Sequence, residues 1–498
     1  MKLSIALVLA VVSLFNTNTG IASTIDEVTL QRIQTQFPER IESLYYEQRL
    51  RGDLLVAVVD ANGLRYAYTL NQRGASPESN GLTTTTPFLT ASHTKAFTGT
   101  LAQVLVQQGR FDLDAPLDRY LADEIHDDLI ATDDITIKQL LNHTAGFTSS
   151  LHTFKSAFLG YVDETDLVAA LNHETLIAPA GVFRYSNTGP IVAARAMEKA
   201  TGISWQELVK EELFTPLVMQ QTSTRVSDYP QGTILPIIEV GRDGEIVRSG
   251  LHKTDQTLHA AGGTISTLAD MAKWLQFNVV QGQQLATLPA FFQPLHQSTT
   301  TQERTYFTYE RTGYSLAWDI ADYHGKSILT RFGGFGGISV HASFIPADQI
   351  AVVAFFNDER GYLLPHVAAN YLYNLALTPT EALTRFETEV DSFKESVERE
   401  QAQSLDQNMQ VPMSEQWQQN LGRYEAGNGW PPLEIFVKDD MLWLRWGALN
   451  GPLYNHPEDL QSFTVALGPL RRTITVGNDE QGVDYIRNGS IEYRKRSQ

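Results

Sequence analysis

No cysteine occurs anywhere in the 498 residues. That excludes disulfides, a lipid-modified N-terminal cysteine, a thiol nucleophile and cysteine-based metal sites. The twelve histidines show no metal-ligand spacing such as His-Glu-x-x-His, so no metal is expected. P-loop and dinucleotide fingerprints are missing too, and no cofactor is expected. Basic charge is scarce: 38 Lys and Arg stand against 57 Asp and Glu, a formal net charge of −19. So acidic a sum argues against nucleic acid or an anionic membrane surface as partner. Internal repeats and low-complexity tracts are absent. The apolar run Leu3 to Phe15 is short for a membrane span, which needs ~20 apolar residues, and no later run is long enough. Met1-Lys2 before it and the small-x-small Gly20-Ile21-Ala22 after it predict a signal peptide over residues 1–22. An exported, cysteine-free chain fits a bacterial periplasmic or secreted protein that folds on its core alone, with no integral membrane segment once the signal is removed.

What is present centres on Ser92-His93-Thr94-Lys95. Residues 96–108 follow with apolar side chains at helical spacing, and Gly109 is a stop signal. A Ser and a Lys three residues apart on a helix share one face. At the opening of the helix the hydroxyl lies in the positive field of the N-terminus. An unprotonated Lys95 beside it can take the hydroxyl proton and turn an inert alcohol into a nucleophile.

Around this tetrad the pattern is mixed. Glu27 to Leu50 reads as a helix, and Leu54 to Val59 with Leu64 to Tyr68 as a hairpin. Helical patterns recur at Ile135 to Leu141, Glu164 to Leu171, Pro190 to Thr201, Ser266 to Phe277 and Val367 to Leu377. Ser327 to Asn357 alternates as strands around Gly333-Gly334-Phe335-Gly336-Gly337, with Ile350 to Phe356 apolar enough for a buried strand. Composition shifts at Pro379: residues 380–409 read as an exposed amphipathic helix or linker. Short strands and turns from Trp417 to Arg496 predict a small barrel or sandwich.

Two further constellations carry chemistry. Tyr185-Ser186-Asn187 is the only Tyr-x-Asn in the chain. A nearby ammonium favours the phenolate, so Tyr185 beside Lys95 and Ser92 is a credible proton shuttle. Asn187 can hold Lys95 and offer its amide to a substrate carbonyl. Arg331-Phe332-Gly333-Gly334 enters a strand, where glycines let a ligand approach the backbone. The amides of Gly334 and Ser92 can form an oxyanion hole, and Arg331 can present its fork to a substrate carboxylate. His143 is read as structural, because Lys95 makes a Ser-His pair unnecessary, and His93 is set aside because it points to another helix face.

In this order and separation the three elements resemble the serine β-lactamase and penicillin-binding-protein superfamily, closest to its class C β-lactamase, D-aminopeptidase and esterase branch. Gly109-Arg110-Phe111-Asp112-Leu113-Asp114, Ile135 to Gly146, Phe183 to Gly189, Leu213-Phe214-Thr215-Pro216-Leu217, Ala261-Gly262-Gly263 and Phe344-Ile345-Pro346 extend the resemblance over about residues 30–375. It implies Ser92 as the acylated nucleophile, Lys95 as its proton acceptor, Tyr185 as base or relay, and Asn187 as a substrate-orienting donor. The usual third motif is Lys or His, a small residue, then Gly. Arg331-Phe332-Gly333 departs from it, since Arg stays protonated and Phe332 is bulky enough to alter the pocket. Those departures favour peptide, amide or ester hydrolysis over β-lactam hydrolysis. Leu421-Gly422-Arg423-Tyr424 and Leu442-Trp443-Leu444-Arg445 look like the barrel-type module appended to many relatives, which serves as a stability module or narrows substrate choice.

The expectation is an α+β protein. A signal (1–22) precedes a β-lactamase-like domain of antiparallel sheet, flanking helices and helical lobe (23–378), a helical linker (379–412) and a small all-β domain (413–498). The expected function is an exported serine hydrolase forming an acyl-enzyme with a small peptide, amide or ester substrate. The alternatives are a DD-carboxypeptidase or β-lactamase acting on cell-wall peptides or penicillins, and a cell-wall-binding protein on an inactive hydrolase scaffold.

Overall fold

The computed structural model describes residues 25–495 apart from 162–163, 174, 242–243, 249–250, 284–288, 403–406, 428, 448, 457–460, 468–469 and 480–483. The expected signal peptide lies outside the described residues.

Helix α1 (Glu27–Glu47) is capped by Asp26, whose carboxylate accepts from the Thr29 amide. It buries the stripe Ile33, Phe37, Ile41, Leu44. The hairpin follows as β1 (Leu54–Asp60) and β2 (Gly63–Leu70). Every residue of β1 is buried, and the strand period of two divides them: Leu55, Ala57 and Val59 join one core, Leu54, Val56 and Val58 the other. The remaining strands of the sheet come later, as β3 (Thr300–Tyr306), β4 (Tyr309–Tyr314), β5 (Asp319–Tyr323), β6 (Lys326–Thr330), β7 (Gly333–Phe335), β8 (Ile338–Ile345) and β9 (Ile350–Phe356). Their order is β2-β1-β9-β8-β6-β5-β4-β3, with short β7 paired to β8, and each ladder is antiparallel. Continuous apolar runs suit β1 and β9 because helices cover both faces of the sheet.

Helices α2 (Thr94–Gln107) and α3 (Thr188–Thr201) belong to the helical lobe. Helix α4 (Leu268–Gln283) covers one face of β1 and β9, and α5 (Leu364–Leu377) with α1 covers the other. Helix α6 (Ala382–Ala402) occupies the segment expected to be an exposed amphipathic helix or linker. It is a packed layer: Phe386, Phe393 and Val397 are buried in the second core, and the Phe386 ring lies 4.5 Å from that of Tyr371 on α5. Its apolar face was legible, but its buried Glu389, 5 % exposed, was not. Both carboxylate oxygens accept from Asn370 Nδ2 at 3.0 Å.

The C-terminal strands β10 (Gly422–Glu425), β11 (Leu433–Lys438), β12 (Met441–Trp446), β13 (Leu449–Asn455), β14 (Ser462–Leu467), β15 (Leu470–Asn478), β16 (Asp484–Asn488) and β17 (Ile491–Lys495) form a closed antiparallel barrel. Closure comes from the β10–β17 ladder, which removes both free edges. Strand β13 runs through Asn450-Gly451-Pro452, a triplet that resembles a turn in sequence. The glycine is there for proximity: a Cβ on Gly451 would fall 1.6 Å from the Ala466 carbonyl oxygen. Among the described residues no helix is long and apolar enough to cross a membrane.

Candidate active site

Ser92 lies in a single 3₁₀ turn, Ala91–His93, that leads directly into α2. The turn is stitched in place from below. Thr90 N–H donates to the Thr264 carbonyl at 2.9 Å, Thr94 Oγ1 donates to the Ala91 carbonyl at 2.7 Å, and Thr264 N–H donates to Thr94 Oγ1 at 3.0 Å. Ala91 pays with a left-handed backbone, φ 47°, a conformation L-residues avoid. The segment after the turn is held by His93, which is fully buried. Its Nδ1 bonds to the Arg331 carbonyl at 3.1 Å and its Nε2 accepts from Trp274 Nε1 at 2.9 Å. Burial keeps this imidazole neutral, its pKa lowered to about 3.

Helical spacing puts Lys95 beside Ser92. Lys95 is 2 % exposed, and its Nζ lies 3.2 Å from Ser92 Oγ, 2.6 Å from Asn187 Oδ1 and 2.7 Å from the Ala261 carbonyl oxygen. Burial favours the neutral amine, and Arg331 nearby pushes the same way, against the opposing pull of Tyr185; the result is a pKa lowered to about 8. Asn187 precedes α3 as its cap residue. With Oδ1 occupied by Lys95, its Nδ2 is the donor left for a ligand.

Tyr185 arrives on the loop before α3. Its residue surface is 40 % exposed, yet its hydroxyl accepts from Arg331 Nη2 at 2.6 Å and Lys95 Nζ sits 4.8 Å from the ring centroid. Burial of the phenol end opposes ionisation, but the Arg331 and Lys95 charges outweigh it, and the pKa falls to about 8. His143 brackets this tyrosine. Its carbonyl accepts from Arg184 N–H at 2.8 Å, its Nδ1 accepts from Ser186 N–H at 3.3 Å, and its ring lies 4.7 Å from the Tyr185 ring. It is a support for Tyr185, with no hydrogen bond to Ser92.

The third motif differs from the sequence expectation in two ways. Arg331 is 3 % exposed and turned inward. Besides Tyr185, its Nη1 donates to Asp319 Oδ2 at 3.1 Å and lies 3.4 Å from the Tyr314 hydroxyl, and its Nε donates to the Ser92 carbonyl at 3.1 Å. A guanidinium so engaged binds Tyr185 rather than offering a fork to a substrate carboxylate. Phe332 does not shape the pocket either. It packs in the second core against Tyr306, Tyr309, His341 and His366. Strand alternation sends it to the far face of the sheet. Gly333 is required by proximity to backbone, and Gly334 leaves room for the Tyr362 side chain. A Cβ on Gly333 would fall 2.3 Å from the Thr90 carbonyl oxygen and 3.2 Å from Ser92 N, and one on Gly334 2.3 Å from the Tyr362 hydroxyl. Strand β7 therefore lies directly against the Ser92 turn, with Gly334 exposed at its edge.

The structure thus gathers Ser92, Lys95, Tyr185, Asn187, Arg331, Gly333 and Gly334 at one place. Sequence reasoning missed Asp319 and Thr264, whose importance lies in contacts distant along the chain; Ala261 was marked as part of Ala261-Gly262-Gly263, but not the role of its carbonyl.

Comparison with known proteins identifies the family and the fold. The family model described as Beta-lactamase matches residues 31–373. The chain is 24 % identical over 361 residues to penicillin-binding protein 4 of Amycolatopsis lactamdurans, covering 69 % of this chain and 92 % of that protein. It is 26 % identical over 319 residues to an unguisins hydrolase of Aspergillus campestris, covering 61 % of this chain and 58 % of the fungal protein. The match therefore spans less than two thirds of that hydrolase. Among solved structures, the octameric penicillin-binding protein homologue from Pyrococcus abyssi superposes with a TM-score of 0.57 at 19 % identity, over 92 % of this chain and 99 % of that one. At that identity the likeness is one of fold.

Proposed function

Because the chain belongs to the β-lactamase family, we propose that it is a serine hydrolase that forms an acyl-enzyme at Ser92 from a small peptide, amide or ester. The observation that carries this reading is the buried Lys95 ammonium, bonded to Ser92 Oγ, Asn187 and a carbonyl. Tyr185, whose ionisation Arg331 and Lys95 make easier, faces the same place. In this reading the Tyr185 phenolate takes the Ser92 proton as Oγ attacks the carbonyl carbon. The amides of Ser92 and Gly334 hold the oxyanion; losing one such donor typically costs about 10²–10³ in rate. Tyr185 then gives the proton to the leaving group as the acyl bond breaks. Tyr185 next takes a proton from water as the water attacks the ester, and gives that proton to Ser92 Oγ as the acyl–oxygen bond breaks and the acid leaves. Lys95 stays in place throughout, holding Oγ and favouring the phenolate. The signal-like residues 1–22 support action outside the cytoplasm.

A second reading, recognition of penicillins or cell-wall peptides, is favoured by the curated relative named a penicillin-binding protein. With Phe332 facing away from the cleft, the steric argument against it disappears. Intact-mass spectrometry separates the readings. Wild type and Ser92→Ala are each incubated with a fluorophosphonate and with a fluorescent penicillin. An adduct lost in S92A is expected, and the reagent that reacts tells the substrate class. No adduct with either reagent, in folded protein, would refute the acyl-enzyme.

A further inference from the structure

The strand that supplies the oxyanion donor does not end in open solvent. Arg331, just before β7, bonds Tyr185; Gly333 lies against Ser92; Phe335 follows, ~7 Å further along the strand. Tyr185 protonates the leaving group in the mechanism above, so the leaving group occupies the Arg331 end. The acyl group then extends toward Phe335.

There the cleft is crossed. Phe335 stacks on Phe158 of the helical lobe, ring centroids 5.5 Å apart and planes at 22°. Lys253 Nζ lies 4.0 Å from the Phe335 centroid and 5.8 Å from that of Phe158. The lysine is 7 % exposed and is fixed by donation to the Ala157 carbonyl at 2.6 Å and the Thr257 carbonyl at 3.1 Å. Among the described residues no carboxylate pairs with it. Packed on both rings and tied to two carbonyls, the amine joins the three side chains together, with a cation–π attraction while it is protonated. Burial lowers the Lys253 pKa to about 7.

Behind Phe158 the aromatic contacts continue into the barrel. Phe158 lies 5.2 Å from Phe154, Phe154 4.1 Å from Trp446, and Trp446 5.6 Å from Trp430. A Cβ on Gly447, next to Trp446, would fall 2.6 Å from Leu159 Cδ2. The segment carrying Phe154 and Phe158 is thus wedged between the barrel and the oxyanion strand.

We infer that Phe335, Phe158 and Lys253 form a crossbar that closes the acyl end of the cleft and restricts the substrate to a short acyl group, with the barrel bracing the crossbar through Trp446 and Phe154. This rests on the acyl-enzyme reading and adds a specificity determinant to it. None of the three residues touches the reacting atoms.

The test uses the full chain and p-nitrophenyl esters from acetate to octanoate, reading kcat/KM for each and the Ser92 acyl-enzyme by intact mass. Wild type should favour acetate over octanoate by at least tenfold. Phe335→Ala should raise the octanoate-to-acetate ratio tenfold or more, Phe335→Leu less, and Trp446→Ala in the same direction by a few-fold. Thermal melting establishes that each variant is folded; F335L retains most of the buried apolar surface and serves if F335A does not fold. A wild type indifferent to chain length, or a ratio unchanged in folded F335A or F335L, overturns the crossbar while leaving the acyl-enzyme intact. An unchanged ratio in folded W446A overturns the bracing by the barrel. Absence of any Ser92 acylation by any ester overturns both.

Discussion

Replacing Arg331 by Met gives the sharpest test of the arrangement around Tyr185. The guanidinium carbon lies 5.0 Å from the Tyr185 ring centroid, with Nη2 2.6 Å from the hydroxyl. Coulomb's law at an effective dielectric of ~20 gives about 3 kcal/mol for a unit charge at ~5 Å. Solvent screening on the exposed side of the tyrosine reduces this, leaving about one pKa unit or somewhat more. Tyr185 and Lys95 are both lowered to about 8, and Arg331 helps lower each. Removing its charge moves both upward, so the two effects add. In wild type, kcat/KM should rise as pH increases through about 8, where the pair loses a proton. In R331M that rise should move at least one unit more alkaline. The assay is p-nitrophenyl acetate hydrolysis from pH 5.5 to 10, read at the isosbestic wavelength. Arg331→Lys, which keeps the charge, should stay closer to wild type. The fold should survive, because Asp319 retains Gln302 at 3.0 Å, Arg311 at 3.5 Å and Arg304 at 3.7 Å. An R331M profile that overlays wild type after scaling would refute electrostatic activation of Tyr185 by Arg331.

Other substitutions probe separate links. Gly333→Ala places a methyl group 2.3 Å from the Thr90 carbonyl oxygen and should displace the Ser92 turn; a loss of about 10²-fold in kcat with little change in KM is expected. Full activity in G333A would mean that β7 and the nucleophile turn need not touch. Glu389 bears on stability instead. Burial raises its carboxyl pKa to about 8, above the unfolded value near ~4.3, so the folded state binds the extra proton between those limits. The contribution of Glu389 to stability therefore falls as pH rises from about 5 to 8, against the opposite contribution of the buried, neutral histidines such as His93, and Glu389→Gln should gain Tm relative to wild type over that interval. A Tm difference between wild type and E389Q that stays constant from about pH 5 to 8 would contradict this assignment.

How much of this was readable in the sequence depends on how local the cause was. The hairpin at residues 54–70 and the helix after Ser92 were legible because strand and helix periods are written in consecutive side chains. The Ser92–Lys95 proximity was legible for the same reason. The orientation of Arg331 was not. Its inward turn depends on Asp319 twelve residues earlier and on Tyr185 from another lobe. Phe332 was misjudged because its neighbourhood, not its size, decides its effect: strand alternation places it among Tyr306, Tyr309 and His366, across the sheet from the cleft. Residues 380–402 showed an amphipathic pattern, but which surface received the apolar face was set by α5.

Helix α6 bears on how the two parts of this protein can be exchanged. Its apolar side completes the hydrolase, with Phe386 against Tyr371 and Glu389 against Asn370, although it stands immediately before the barrel in the chain. A transplant made at the compositional break near Pro379 would strip the hydrolase of a wall and hand the barrel an orphan helix. The interchangeable unit, whether for grafting barrels between relatives or for fusing a reporter in place of this one, begins beyond Ala402.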